Sequence, residues 1–244
     1  MKQFTIPALM LAAAGSPAAA QLFTFDTADD FITPLVNGQM VSAGIEFSSH
    51  FSISSGGGLG AAIFDSGDGG INAGTLDPDL LVDLGNILIV QNTAYPDMTT
   101  AGIFDIPNDE PGGGNITFNF TELSSLLSID LIDIDRTDQG VAVVLTDIFG
   151  LMRTYDVADN WSRDISIDGP DGYDTLSLTT LTEQVGEGGG SATASEDAGF
   201  DPLRVASLSV TFNGSGGLDN LWIVPAPGPA ALLVIGGLAF TRRR

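Results

Sequence analysis

Ile116-Thr117-Phe118-Asn119-Phe120 places an apolar side chain at every second position. A β-strand sends successive side chains to opposite faces, so this is the pattern of a strand with one buried and one wet face. The alternation returns at 205–212, where Ala206, Leu208, Val210 and Phe212 interleave with Val205, Ser207 and Ser209. Residues 40–47, 61–64, 87–91, 126–134, 141–148 and 218–224 also read as strands, separated by Gly, Asp and Asn. No stretch holds a 3.6-residue apolar period over three turns. Many short strands with this punctuation predict an all-β chain, a single β-sandwich over residues 21–224.

Three irregular stretches interrupt the strands. Residues 56–83 are rich in Gly and Asp, residues 91–114 hold Pro96, Pro107 and Pro111, and residues 183–202 are rich in Gly, Ser, Ala and Glu. Loops of this length are usually functional or mobile. The first two carry oxygen-bearing side chains and are expected to be functional. The third is expected to be a mobile segment.

The chain has 244 residues, no Cys, one His, 8 Lys+Arg and 31 Asp+Glu. Absence of Cys removes disulfides, thiol nucleophiles and cysteine metal sites. A single His50 cannot build a multi-histidine metal site within one chain. The formal charge of −23 argues against nucleic acid as a partner, because phosphates need a basic surface. Residues 21–224 hold all the acidic residues but only Arg136, Arg153, Arg163 and Arg204 as bases. Such a surface repels itself and keeps the protein soluble, and its hard oxygens suit calcium.

The two ends read as addresses. Lys2, an apolar run over residues 4–14 and small residues at Ala18 and Ala20 predict a signal peptide over residues 1–20, cut before Gln21 by signal peptidase. At the other end Pro225-Ala226-Pro227-Gly228-Pro229 precedes the apolar run 230–240 and the basic tip Arg242-Arg243-Arg244. The run is short for a membrane span, and the arginines belong on the cytoplasmic side. This layout, residues 225–244, resembles the PEP-CTERM sorting signal of exported bacterial proteins, with Ala226 in place of the usual Glu. The resemblance implies a short C-terminal transmembrane helix, recognition by an exosortase and placement at the cell surface or in the extracellular matrix.

Four carboxylates fall in one Gly-rich stretch: Asp65, Asp68, Asp77 and Asp79. Asp109 and Glu110 follow between Pro107 and Pro111. Calcium takes six to eight oxygens from carboxylates, carbonyls and water, and Gly/Asp loops offer all of them. The spacing is not that of an EF-hand. Asp133 and Asp135, two apart on a strand, share a face expected to be solvated. The order of Asp-rich loop, strand, acidic loop and strand, with Asp130-Leu131-Ile132-Asp133-Ile134-Asp135 following, resembles a calcium-stabilised jelly roll of carbohydrate-binding type. That resemblance implies a jelly-roll-like sandwich with a structural calcium. It also implies that Asp219 of the terminal Asp219-Asn220 element, and Asp26, reach the same ion.

Catalytic residues are not apparent. The sequence has no Gly-x-Ser-x-Gly elbow, no His-Glu-x-x-His and no phosphate loop. His50 after Ser48-Ser49 reads as structural. Tyr95, Trp161 and Tyr173 stand in loop-like contexts where an aromatic ring could stack on a sugar. The expectation is therefore a secreted, non-enzymatic surface or matrix protein that binds extracellular polysaccharide. A purely structural matrix protein and a glycan-active hydrolase or lyase are the alternatives.

Overall fold

The computed structural model describes residues 19–26, 35–41, 50–67, 69–74, 77–135, 140–163 and 172–225. Asp68, Ala18, Ala226, Pro227 and Arg242-Arg243-Arg244, together with the apolar runs 4–14 and 230–240, lie outside these residues. No helix among the described residues is long and apolar enough to cross a membrane.

The described chain is all-β: a continuous antiparallel sheet with one 3-10 turn at Pro78–Leu80. Its strands are β1 (Gln21–Phe23), β2 (Met40–Val41), β3 (Phe51–Gly56), β4 (Ala61–Asp65), β5 (Asn86–Val90), β6 (Gly114–Ile132), β7 (Val141–Asp147), β8 (Met152–Val157), β9 (Tyr173–Ser177), β10 (Gln184–Val185), β11 (Ser191–Glu196), β12 (Val205–Phe212) and β13 (Gly217–Pro225). The opening pentapeptide lies in β6, and β6 organises the sheet. The two apolar patterns read separately at 116–120 and 126–134 belong to this one 19-residue strand, which joins two arms.

The first half of β6 lies between β3 and β12, and β12 continues through β7, β8 and β11 to β10. The second half lies between β9 and β13, and β13 continues through β5 and β4 to β2. The pairing of β12 with β6 slips between Val205 and Ser207, and that of β13 with β6 slips near Trp222. Such irregularities sharpen local twist and let one strand serve two arms.

The main core draws on both arms, from Phe51, Ile53, Ile116 and Phe118 to Leu131, Leu218 and Ile223. Phe51 meets Phe23 and Phe118 edge-on, with ring centroids 4.9 and 5.2 Å apart. Leu131 joins this core, whereas Ile132 points to the opposite face, as strand alternation requires. There it packs with Phe64, Leu80, Val82, Ile87, Ile89 and Phe104 into a smaller second core, flanked by Met98 and Tyr173.

The stretch 183–202 corrects the expectation of a mobile segment. It contains β10 and β11, and its Ala192 is buried opposite Val157. Its glycines serve close approach. A Cβ on Gly188 would lie 2.1 Å from the Ser162 carbonyl oxygen, and one on Gly186 would lie 2.2 Å from that of Trp161. The Gly190 N–H donates to the Asn160 carbonyl at 2.6 Å. A Gly-rich composition thus marks backbone packed against backbone. Gly188→Ala is expected to cost about 2 kcal/mol or more, because rigid backbone has to move. Urea unfolding checks it, with Gly189→Ala as a comparison of backbone strain alone, since a Cβ at Gly189 meets nothing within 4 Å.

Candidate metal centre

Five aspartates meet at the end of β6, beside the second core. The 3-10 turn supplies two of them. Pro78 fixes the first helical dihedral, and Leu80 is fully buried in the second core, which turns Asp79 inward to 6% exposure. Asp77 stands at the head of this turn and makes no side-chain cap bond there.

The loop 91–109 supplies the third. The fully buried Gln91 side chain donates to the carbonyls of Tyr95 and Ile106 and accepts the Asn108 N–H. Asn92 donates to the Asp109 carbonyl at 2.9 Å. This amide scaffold holds Asp109 at 2% exposure. Asp109 Oδ2 accepts the Gly216 N–H at 2.5 Å and the Ser215 hydroxyl. Gly216 has φ of +146°, and a Cβ there would meet the Ile134 side chain at 2.9 Å. Only glycine presents its N–H to Asp109 at this spot without strain.

The chain after β6 supplies the last two. Asp133 has φ of +59°, and this left-handed step ends the strand at Ile132. The Asp133 N–H donates to the Gly172 carbonyl, and the Ile134 N–H donates to Ser162 Oγ, both at 2.9 Å. Asp133 and Asp135 are therefore not on a solvated strand face as expected. They are 2% and 9% exposed, because the strand stops before they could continue its alternation.

One oxygen from each of Asp79, Asp133 and Asp135 lies within 4.8 Å of the others. Oxygens on opposite sides of a calcium ion stand about twice 2.3–2.6 Å apart, so the three fit one coordination sphere. Asp133 Oδ1 is buried without a hydrogen-bond partner. Asp77 and Asp109 adjoin this trio: Asp77 hydrogen-bonds to Asp109 and feels the charges of Asp109, Asp133 and Asp79. Burial, then that bond and those charges, push the Asp77 carboxyl up to about 9. Burial, then Asp109 and Asp135, push Asp133 up to about 8. The described arginines are engaged elsewhere. Arg153 is held by Glu196 and the Leu178 carbonyl, Arg163 lies beside Glu187, and Arg204 sits over the Phe149 ring. Buried like charges with no neutralising base among the described residues have two remedies, a proton or a cation.

The other sequence candidates lie differently. Glu110 accepts the Thr93 and Gly112 N–H groups at 2.8 and 3.2 Å, which hold its carboxyl below the usual range against a small burial effect. It caps its own turn. Asp65 Oδ1 accepts the Gly67 N–H at 3.0 Å. Asp219 feels the charges of Asp26 and Asp130, and neither Asp219 nor Asp26 figures among the charges acting on Asp77 or Asp133. Trp161 is 1% exposed and donates to the Asp174 carbonyl at 3.3 Å, so it is a core residue and not a sugar platform. Tyr173 packs on the second core, and Tyr95 is half-buried in the 91–109 loop. His50 packs edge-on against Phe23, with centroids 5.6 Å apart.

The site is thus an all-oxygen, carboxylate-dense pocket built by three loops on a sandwich-like sheet. No protein-family model matches the chain, and no curated protein is significantly similar to it.

Proposed function

We propose that this protein is an exported cell-surface or matrix component whose jelly-roll-like sandwich is locked by calcium in the Asp77, Asp79, Asp109, Asp133 and Asp135 pocket. The observation that carries the reading is the convergence of Asp79, Asp133 and Asp135 within 4.8 Å, with an unpartnered oxygen on buried Asp133. All the donors are hard oxygens, which favours calcium over softer metals. Magnesium demands a tighter octahedron and sheds water reluctantly, so five protein carboxylates serve it poorly.

The signal-like start and the PEP-CTERM-like end support export by signal peptidase and exosortase, with the membrane as a station before processing. The acidic surface supports a role outside the cell and away from nucleic acid. The reading involves no catalysis.

A second reading, attachment of extracellular polysaccharide, draws on one cleft of about 210 Å³ lined by Ile71, Asn72, Asp105, Ile106 and Pro107. Amide and carboxylate groups beside apolar carbons suit a sugar ring.

Calorimetric titration of the full chain with calcium tests the main reading. Saturable calcium binding, at least tenfold tighter than magnesium binding and reduced at least tenfold in Asp133→Asn, supports it. Equal, weak responses to both ions that survive Asp133→Asn overturn it.

A further inference from the structure

Four large apolar side chains stand exposed at one end of the sheet: Ile148 at 44%, Phe149 at 66%, Met152 at 47% and Leu203 at 64%. They come from the β7–β8 turn, the start of β8 and the loop before β12. Their exposure is built into the backbone. Buried Asp147 accepts the Phe149 and Leu151 N–H groups on Oδ1, at 2.8 and 3.0 Å, and the Asp201 N–H on Oδ2 at 2.9 Å. The Ile148 N–H donates to the Arg204 carbonyl at 3.1 Å, and the Arg204 guanidinium sits over the Phe149 ring, 5.3 Å from its centroid. One carboxylate thus ties turn to loop and holds Phe149 outward at a place where turns ordinarily carry Gly, Asn or Asp.

The chain leaves the fold beside this face. Asp147 pairs with Val205, Val205 with Ser124, and Ser124 with Pro225. That row sets Pro225 three strand spacings, about 14 Å, from Asp147. Leu203 also borders a cleft of about 210 Å³ whose lining includes Ser125 and Leu126, and these pair with Val224 and Ile223 of β13. The apolar run 230–240 starts five residues past Pro225, a reach of at most about 17 Å. A bilayer that receives this run therefore lies within reach of the exposed side chains. The formal charge of −23 sets the chain against an anionic surface, so the lipid that suits it is zwitterionic. Phe149, Ile148 and Leu203 supply apolar area for the headgroup–acyl boundary, and Arg204 supplies a cation for headgroup phosphate.

We propose that this end of the sheet, centred on Phe149 and Leu203, is a docking face for a zwitterionic phospholipid bilayer and seats the folded domain on the membrane that takes the tail. The proposal rests on the reading of residues 225–244 as a membrane-directed tail.

The native sequence has no Cys, so Leu203→Cys and Ile71→Cys each take a single environment-sensitive fluorophore. Ile71 is 74% exposed and lies between β4 and β5, on the other arm of the sheet. The labelled full chains are mixed with phosphatidylcholine vesicles, with and without a quencher on the headgroup, and flotation measures the bound protein. Quenching is expected to be at least threefold stronger at position 203 than at position 71. Adding Phe149→Asp to the Leu203→Cys chain should lower that quenching at least twofold and leave flotation unchanged, because the tail still binds. Circular dichroism checks the fold, and Phe149→Ser takes the place of Phe149→Asp should the latter misfold. Flotation with equal quenching at both positions, or quenching at 203 that ignores the Phe149 variants, overturns the docking face and leaves the tail reading standing. Absence of flotation overturns both. A dimer in vesicle-free buffer that Phe149→Asp dissociates assigns the face to a second copy and also overturns the proposal.

Discussion

Millimolar calcium is expected to raise the thermal midpoint of the full chain by roughly 8–16 °C over the same protein in chelator. At a thousandfold excess over its dissociation constant, a ligand that binds only the folded state stabilises it by about 4 kcal/mol. Each kcal/mol moves the midpoint of a domain this size by about 2–4 °C. Asp133→Asn should abolish most of the rise and, in chelator, melt no lower than the native sequence. The amide spares the folded chain a buried carboxyl that must hold a proton when the ion is absent. That second arm separates a metal ligand from a residue that merely packs. An equal rise with magnesium or sodium chloride would reduce the effect to screening of the −23 chain.

In chelator, stability is expected to fall as pH rises from 5 to 8, against the usual behaviour of carboxylates. Burial raises Asp77 to about 9 and Asp133 to about 8, from ordinary values near 3.8. Between those limits the folded chain holds protons that the unfolded chain has released. Its stability is therefore greatest below the unfolded value and declines as pH climbs through the folded ones. A single such group contributes at most about 1.4 kcal/mol per pH unit, about 4 kcal/mol over this window, and because Asp77 and Asp133 share the charge of one pocket we expect a fall of about that of one group. Glu110 and Asp147 are held below the ordinary range. Their contributions have the opposite sign and vanish only below about pH 4. Calcium replaces the protons, so its affinity should strengthen with pH and saturating calcium should flatten the slope. Urea unfolding at pH 5, 6.5 and 8, in calcium and in chelator, reads both effects. A rising slope in chelator would show that the pocket is neutralised by something other than protons.

Much of this architecture was legible in the chain. The alternation at 116–120 and 205–212 marked β6 and β12, because one face of each is buried and the other is not. Residues 152–157, 173–177 and 191–196 gave a weaker signal, because much of what they present is Thr, Ser, Asp and Glu. Asp77, Asp79 and Asp109 were visible as turn-forming carboxylates. Asp133 and Asp135 read from the sequence as a solvated face, since period-two reasoning holds only while the strand lasts. The left-handed step at Asp133 ends it, and nothing in the local sequence announces a positive φ at an Asp between two isoleucines. The Gly216 N–H and Ser215 hydroxyl that steady Asp109 lie more than a hundred residues away in sequence. Only the fold could bring them there.

The pairing of the first strand with the last has a mechanical consequence. Gln21 lies opposite Ile223, and Phe23 lies opposite Leu221. The outer ends of both strands therefore leave from the same end of the ladder. Tension between residues 21 and 225 loads its hydrogen bonds one after another, as a zipper does, and this seam opens under little force. A load carried through Pro225 alone meets β13 clamped along β6 from Gly217 to Pro225, where many bonds must fail together. Were load to enter at Pro225, it would thus fall on the β13–β6 seam and bypass the pairing of β1 with β13.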